Sequence, residues 1–286
     1  MAPTPIEWQG KVARLVARIH VRASPPGGIA VNRRRVMLRD LVELSRTLGA
    51  PQQDYAILAE GNTSARLGDE SFLLKASGFS LGSAGPHSFV EMRTAAVLAL
   101  LDSGPLDDEE LTAALSACRV GKGPRPSVEA ALHALALTLG GAAFVGHTHP
   151  AAVNAVLCSE HASALSDGML FPDEVVVCGS HPLFVPWVDP GIALGVDLRA
   201  RLRSHIDAHG EAPKLVYLQN HGIIALGRTA SEVLQVTEMA AKTARIMLGA
   251  LAAGGPHYLG DRDAARIETR PDEHYRQAML GDPKRP

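Results

Sequence analysis

Two histidines one residue apart, His147 and His149, close the run FVGHTHP. Side chains alternate faces along a strand, so both imidazoles point to one side and Thr148 to the other. Two imidazoles at a strand end offer one lone pair each and can bite a single divalent ion. A pair of solvated histidines at a strand tip has the same sequence, and the motif alone leaves both readings open. Pro150 follows, which predicts a helix start with the proline at the first helical position.

His221 lies in YLQNHGIIALG, a predicted strand, turn and strand. Asn220 and Gly222 tolerate the backbone angles of a tight turn, which would hold His221 on a sheet rim. Three imidazoles leave an open coordination position, which a catalytic zinc site needs. A carboxylate candidate comes from RPSVEAALHALALTLGG, read as a helix with Ser127 as N-cap and Gly140 as its stop. There Ser127 caps and Glu129 complements the helix dipole, or Ser127 holds a substrate anion while Glu129 reaches the metal. His133, four residues on, shares the face of Glu129 but reads as a packed core histidine, outside the site. Two glycine-containing loops, AEGNTSARL and KASGFS, add Gly61, Asn62, Ser77 and Gly78. Such loops let backbone approach a ligand and form anion nests, although ordinary turns look the same.

These residues need a scaffold, and the apolar periodicity supplies one. RRVMLRDLVELSRTLGA has helical spacing closed by Gly49. Tyr55–Ala59 and Phe72–Leu74 read as strands. HSFVEMRTAAVLALLDSG and DDEELTAALSACRVG read as helical, EVVVCG and LFVPW as strands, and TASEVLQVTEMAAKTARIMLGAL as a long amphipathic helix. The alternation predicts one layered α/β domain over residues 35–255, between an N-terminal extension (1–34) and a C-terminal tail with a short helix (256–286).

Bulk properties narrow the function class. The 286 residues are 46% hydrophobic and 20% charged, an ordinary globular composition. A formal net charge of −2 gives no electrostatic case for nucleic acid or an acidic membrane. No apolar run reaches membrane-spanning length. Cys118, Cys158 and Cys178, an odd number without CxxC spacing, point to a reducing cytoplasm. The N-terminal segment carries Lys11, Arg14, Arg18 and Arg22 against Glu7 alone, and reads as a basic amphipathic extension.

The ordered set GNTS, KASG, PSVE, HTHP and NHG resembles the class II aldolase/adducin family, whose members include fuculose- and rhamnulose-phosphate aldolases and ribulose-phosphate 4-epimerase. The likeness covers roughly residues 35–255. It implies a three-layer α/β/α domain around a mainly antiparallel sheet, usually in a homotetramer with sites between subunits. It implies His147, His149 and His221 as zinc ligands, and Glu129 as acid/base group and additional ligand when no substrate is bound. Gly61, Asn62, Ser77, Gly78 and Ser127 would bind the phosphate of a sugar phosphate. A second acid serves the aldehyde oxygen in the family, often a tyrosine. Tyr275 and Tyr258 are the candidates, and both also read as aromatic anchors of the C-terminal segment. Val128 departs from the pattern, replacing a serine and removing one hydroxyl donor, with Lys75, Lys122 and Arg125 near enough in sequence to compensate. The activity implied is retro-aldol cleavage of a ketose phosphate through a metal-stabilised enediolate. A 4-epimerase, a decarboxylase or a dehydratase on the same metal site fits the same motifs, and an adducin-like interaction domain is the non-catalytic alternative.

Overall fold

The computed structural model describes residues 28–272 and Tyr275; of the extension read over residues 1–34, residues 1–27 lie outside them. The described chain forms three layers, helices on both faces of one seven-stranded sheet. The strands are β1 (Asn62–Arg66), β2 (Ser71–Lys75), β3 (Phe89–Arg93), β4 (Phe144–Thr148), β5 (Leu183–Val185), β6 (Leu215–Leu218) and β7 (Gly222–Gly227), ordered β3-β2-β1-β4-β7-β6-β5. Every pairing is antiparallel except β5 with β6.

Pleating divides the apolar residues between two cores. Phe72, Leu74, Val145, Val216, Ile224 and Leu226 face one side, while Leu73, Phe144, Tyr217, Ile223 and Ala225 face the other. The helices are α1 (Gly28–Leu48), α2 (Thr94–Ala99), α3 (Asp108–Ala117), α4 (Ala130–Thr138), α5 (Ala151–Leu157), α6 (Pro172–Cys178), α7 (Ile192–His209), α8 (Ala230–Ala252) and α9 (Asp261–Glu268). The first core takes its helical residues from α2, α3, α4 and α7; the second takes them from α1, α5 and α8, with Cys178 of α6. α4 is apolar on every face except at His133 and is buried from Ala130 to Leu137, as suits a helix covered on every side. Each fully buried leucine there contributes roughly 1.5–3 kcal/mol of transfer free energy, which anchors the residue preceding the helix.

Four local expectations are corrected. EVVVCG is not a strand but most of α6: Pro172 starts the helix, Asp173 and Glu174 occupy its positive end, and Val175 and Val176 pack against Ala264 and Ile267. Tertiary burial and end chemistry outweigh the β preference of three valines. The predicted helix HSFVEMRTAAVLALLDSG begins only at Thr94, because Phe89–Arg93 pairs residue for residue with Ser71–Lys75. Tyr55–Ala59 is irregular, with Leu58 at φ 50° and the N–H of Glu60 bonded to the Ile57 carbonyl. Finally, α4 starts at Ala130 and α5 at Ala151, so Glu129 and Pro150 stand at the helix thresholds instead of inside the first turns.

Candidate metal centre and its carboxylate

The sheet brings together the ends of β1 and β4 and the β6–β7 turn. His147 is opposite Asn62 on one flank and Ile224 on the other. Its Nδ1 donates to the Ile223 carbonyl at 2.8 Å, so the neutral ring presents Nε2 as a lone pair. Close backbone approach is built in. A Cβ on Gly61, which has φ +62°, would meet the His147 carbonyl oxygen at 2.7 Å. A Cβ on Gly222 would meet the Thr148 carbonyl oxygen at 2.4 Å and His149 Cδ2 at 2.6 Å. Asn220 takes the left-handed conformation that turns the chain toward His221 (φ 54°), and the Asn154 amide donates to the His221 carbonyl at 3.0 Å.

The three imidazoles face one another, with ring centroids 4.8, 4.8 and 5.1 Å apart. Their ligand atoms all lie within 4.8 Å of one another, and Nε2 of His147 and His149 are separated by 3.0 Å. Nitrogens on one tetrahedral ion at ~2.0–2.1 Å lie roughly 3.3 Å apart, so the spacing suits a shared divalent ion. Two lone pairs at such a distance repel each other unless a cation or proton lies between them, and the donor set is the one zinc and its neighbours prefer. The cluster can therefore coordinate a divalent metal. Glu60, absent from the sequence reading, stands behind His149 with its Oε2 3.7 Å from Nδ1, and the Ile57 N–H holds that carboxylate at 3.2 Å. A carboxylate behind a ligating imidazole orients the ring.

Glu129 reaches into this cluster from the threshold of α4. Its Oε1 lies 3.0 Å from His221 Nε2 and 3.3 Å from His147 Nε2. Its Oε2 accepts from Asn62 Nδ2 at 2.7 Å. Burial pushes the carboxyl up, but His147 and His221 overcome that and hold it well below the usual range. His147 is displaced the other way: burial lowers it, but the Glu129 carboxylate, the Ile223 carbonyl and Glu60 together raise it above its ordinary value. His149 is pushed down to about 3 by burial and by the two neighbouring imidazoles, which keeps it neutral.

Asn62 also donates to Ser127 Oγ at 3.1 Å, and Ser127 Oγ accepts the Glu129 N–H at 3.2 Å. Asn62, Ser127 and Glu129 thus form one network. Behind it stands His133, whose Nε2 donates to Asn62 Oδ1 while its Nδ1 accepts from Ser64 Oγ at 2.7 Å. Burial pushes His133 down to about 3, with the charge of His147 adding to the effect, so the ring stays neutral. His133 is a core histidine, as read, yet it also orients Asn62. The signal for that role is the spacing from Glu129, four residues on the same face. Ser77 and Gly78 are exposed in the next loop, and the Ser77 N–H is tied to the Arg125 carbonyl, two residues before Ser127.

Other candidates lie elsewhere. Arg125 points its guanidinium at Thr112 (2.9 Å), and Lys122 is exposed. Lys75 is buried; its amine donates to the Phe79 and Ala76 carbonyls and is pushed down to about 8 by burial, with Glu129 opposing. Tyr258 donates to the Ala164 carbonyl at 2.8 Å and packs near Gly168, an anchoring position. Tyr275 is 66% exposed and makes no hydrogen bond to the cluster among the described residues.

With this geometry in hand, the chain can be set beside known proteins. Residues 39–248 match the family profile of the class II aldolase and adducin N-terminal domain. The uncharacterized oxidoreductase YuxG of Bacillus subtilis (strain 168) is 27% identical over 186 residues, 62% of this chain. The match spans only 24% of that relative's length. The N-terminal class II aldolase domain of a Thermoplasma acidophilum protein superposes with TM-score 0.59 at 22% identity, covering 74% of this chain and 93% of that one. L-fuculose 1-phosphate aldolase from Glaciozyma antarctica PI12 gives 0.59 at 16% identity, over 94% and 93%. A sugar-phosphate aldolase from Thermotoga maritima gives 0.57 at 16%, over 78% and 98%. At these identities the structural likeness speaks to fold.

Proposed function

The chain belongs to the class II aldolase and adducin family, and from that premise we propose that it is a divalent-metal-dependent lyase that cleaves a ketose phosphate by retro-aldol chemistry. The observation that carries the reading is the position of Glu129. One oxygen faces His147 and His221, and the other is held by Asn62. His147, His149 and His221 would hold a divalent ion such as zinc, which would supply Lewis-acid polarisation of the ketose carbonyl. The residues of the chain handle protons and position. Glu129 is held ionised, so in the condensation direction it takes the proton from the carbon beside the ketone carbonyl, and in cleavage it returns that proton to the same carbon. Asn62 fixes the carboxylate through Oε2 and leaves Oε1 free to exchange partners when substrate enters. Gly61, Asn62, Ser127, Ser77 and Gly78 form the surface on which the phosphate is proposed to rest. A homotetramer accompanies the proposal, in which the exposed Tyr275 serves the aldehyde oxygen of a neighbouring subunit.

The test uses purified, metal-loaded chain and a panel of ketose phosphates with their unphosphorylated sugars, read by aldehyde release. Solvent deuterium exchange into the three-carbon ketone phosphate isolates the proton step. Glu129→Gln should keep the metal and lower exchange by about a hundred- to ten-thousand-fold. Unchanged exchange in that variant would remove Glu129 from the proton step. Inversion at one carbon, carbon dioxide release or water loss in place of aldehyde would reassign the reaction to an epimerase, a decarboxylase or a dehydratase. Absence of both metal binding and turnover would favour an interaction domain.

A further inference from the structure

A second histidine cluster lies outside the His147–His149–His221 group, at the C-terminal end of α7. His205 and His209 are one turn apart on α7, His205 nearly buried and His209 exposed at the helix end. His181, in the connection from α6 to β5, stacks on His209 with centroids 4.0 Å apart and planes at 18°. His205 and His209 are 4.5 Å apart at 50°. The three line an open cavity of about 250 Å³ whose far wall carries Asp261 and Glu268 of α9. Ser180 Oγ donates to Glu268 Oε2 at 2.8 Å, which fixes that carboxylate at the cavity wall.

Several observations favour a cation in this cavity. No ring nitrogen of the three histidines hydrogen-bonds to another described residue, although three polar rings are crowded together. Imidazoles four residues apart on a helix face one another and chelate one ion readily. Burial pushes His205 down to about 4, with His209 and His181 adding to it, so that ring is neutral and ligand-competent at neutral pH. The carboxylates opposite supply hard donors and negative charge.

We propose that His205 and His209, with His181 as third ligand, form a second site for a divalent first-row transition ion such as Zn²⁺, joined by Asp261 or Glu268. The ligand nitrogens are less tightly gathered than at the first cluster, the one group of three among the described residues already within 4.8 Å. Binding would require the exposed His181 and His209 rings to turn out of their stacked arrangement about their side-chain torsions. An ion there would link α7, the α6–β5 connection and α9, pinning the C-terminal helix to the body of the domain.

The experiment is calorimetric titration of the chelator-stripped full chain with Zn²⁺, with Co²⁺ absorption as the spectroscopic readout. Two binding events are expected. His147→Ala/His149→Ala should abolish one and leave the other. His181→Ala/His209→Ala, both at exposed positions, should weaken the remaining event by about tenfold or more, since even an outer-sphere partner of a ligand is worth that much. The separate variants keep failure of the two sites distinguishable. A wild-type chain with no event beyond the one abolished by His147→Ala/His149→Ala overturns the proposal. So does a second event unchanged in His181→Ala/His209→Ala.

Discussion

Replacing Asn62 by alanine should change the proton affinity of the carboxylate more than it changes the metal. Asn62 Nδ2 gives Glu129 Oε2 a 2.7 Å hydrogen bond in a buried setting. A hydrogen bond to a charged group is worth about 1.5–3 kcal/mol. Losing the bond should therefore raise the proton affinity of Glu129 by about tenfold or more. The proton step in the condensation direction needs the ionised form. Its acidic limb should move to higher pH in Asn62→Ala. Metal content should stay full, since Asn62 contributes no atom to the histidine cluster.

The assay is the pH profile of solvent deuterium exchange into the ketone, with metal content measured on the same samples. Ser64→Ala is the control. It removes the hydroxyl behind His133 but leaves the bond from Asn62 to Glu129, so its acidic limb should shift far less. The reasoning fails if the limb of Asn62→Ala does not move while exchange remains measurable. It fails equally if Ser64→Ala moves the limb as far as Asn62→Ala, because the effect would then come from general disruption of the network.

His221→Ala should lose bound metal while keeping the fold; full metal content by elemental analysis would exclude His221 from the coordination sphere. Val128→Ser, at a residue 37% exposed beside Ser127, should restore a hydroxyl donor and tighten competition by inorganic phosphate by about tenfold, whereas unchanged competition would separate residue 128 from the anion site. Glu174 carries a pH signature of stability: burial pushes its carboxyl up to about 7 from 4.5, against the N–H groups of Leu170 and Phe171. The folded state keeps that proton between those values while the unfolded state has lost it, so stability should fall as pH rises through the window, by ~3 kcal/mol, and Glu174→Gln should flatten the slope in urea unfolding at pH 5 and pH 8.

The histidines were legible in the sequence because each has a neighbour with backbone demands. Asn220 and Gly222 announce the turn that holds His221, and Pro150 ends the strand that carries His147. Glu129 was legible through the helix start, though the helix begins at Ala130, two residues later than a cap at Ser127 predicts. What remained hidden depends on packing across the chain. EVVVCG has the composition of a strand, and the helix start at Pro172 together with the contact of Val175 and Val176 with Ala264 and Ile267 makes it helical. The strand Phe89–Arg93 is invisible without its partner Ser71–Lys75. His133 looked like core because it is core, and its bond to Asn62 appears only once β1 lies against α4.

This dependence places the chemistry under the control of sheet register. His147 reaches Glu129 because β4 pairs Asn62 with His147 and His147 with Ile224. A slip of one residue would turn Thr148 toward the carboxylate and send His147 to the opposite face. Two close approaches oppose such a slip at the rim. Gly61 lies against the His147 carbonyl, and Gly222 lies against Thr148 and His149, each without room for a Cβ. The bond from His147 Nδ1 to the Ile223 carbonyl then sets the ring orientation as well as the strand position. The same contacts that close the sheet around β4 therefore decide which imidazole nitrogen faces Glu129. A substitution at Gly61 or Gly222 should therefore lower metal affinity, by driving the added Cβ against the His147 carbonyl or against Thr148 and the His149 ring.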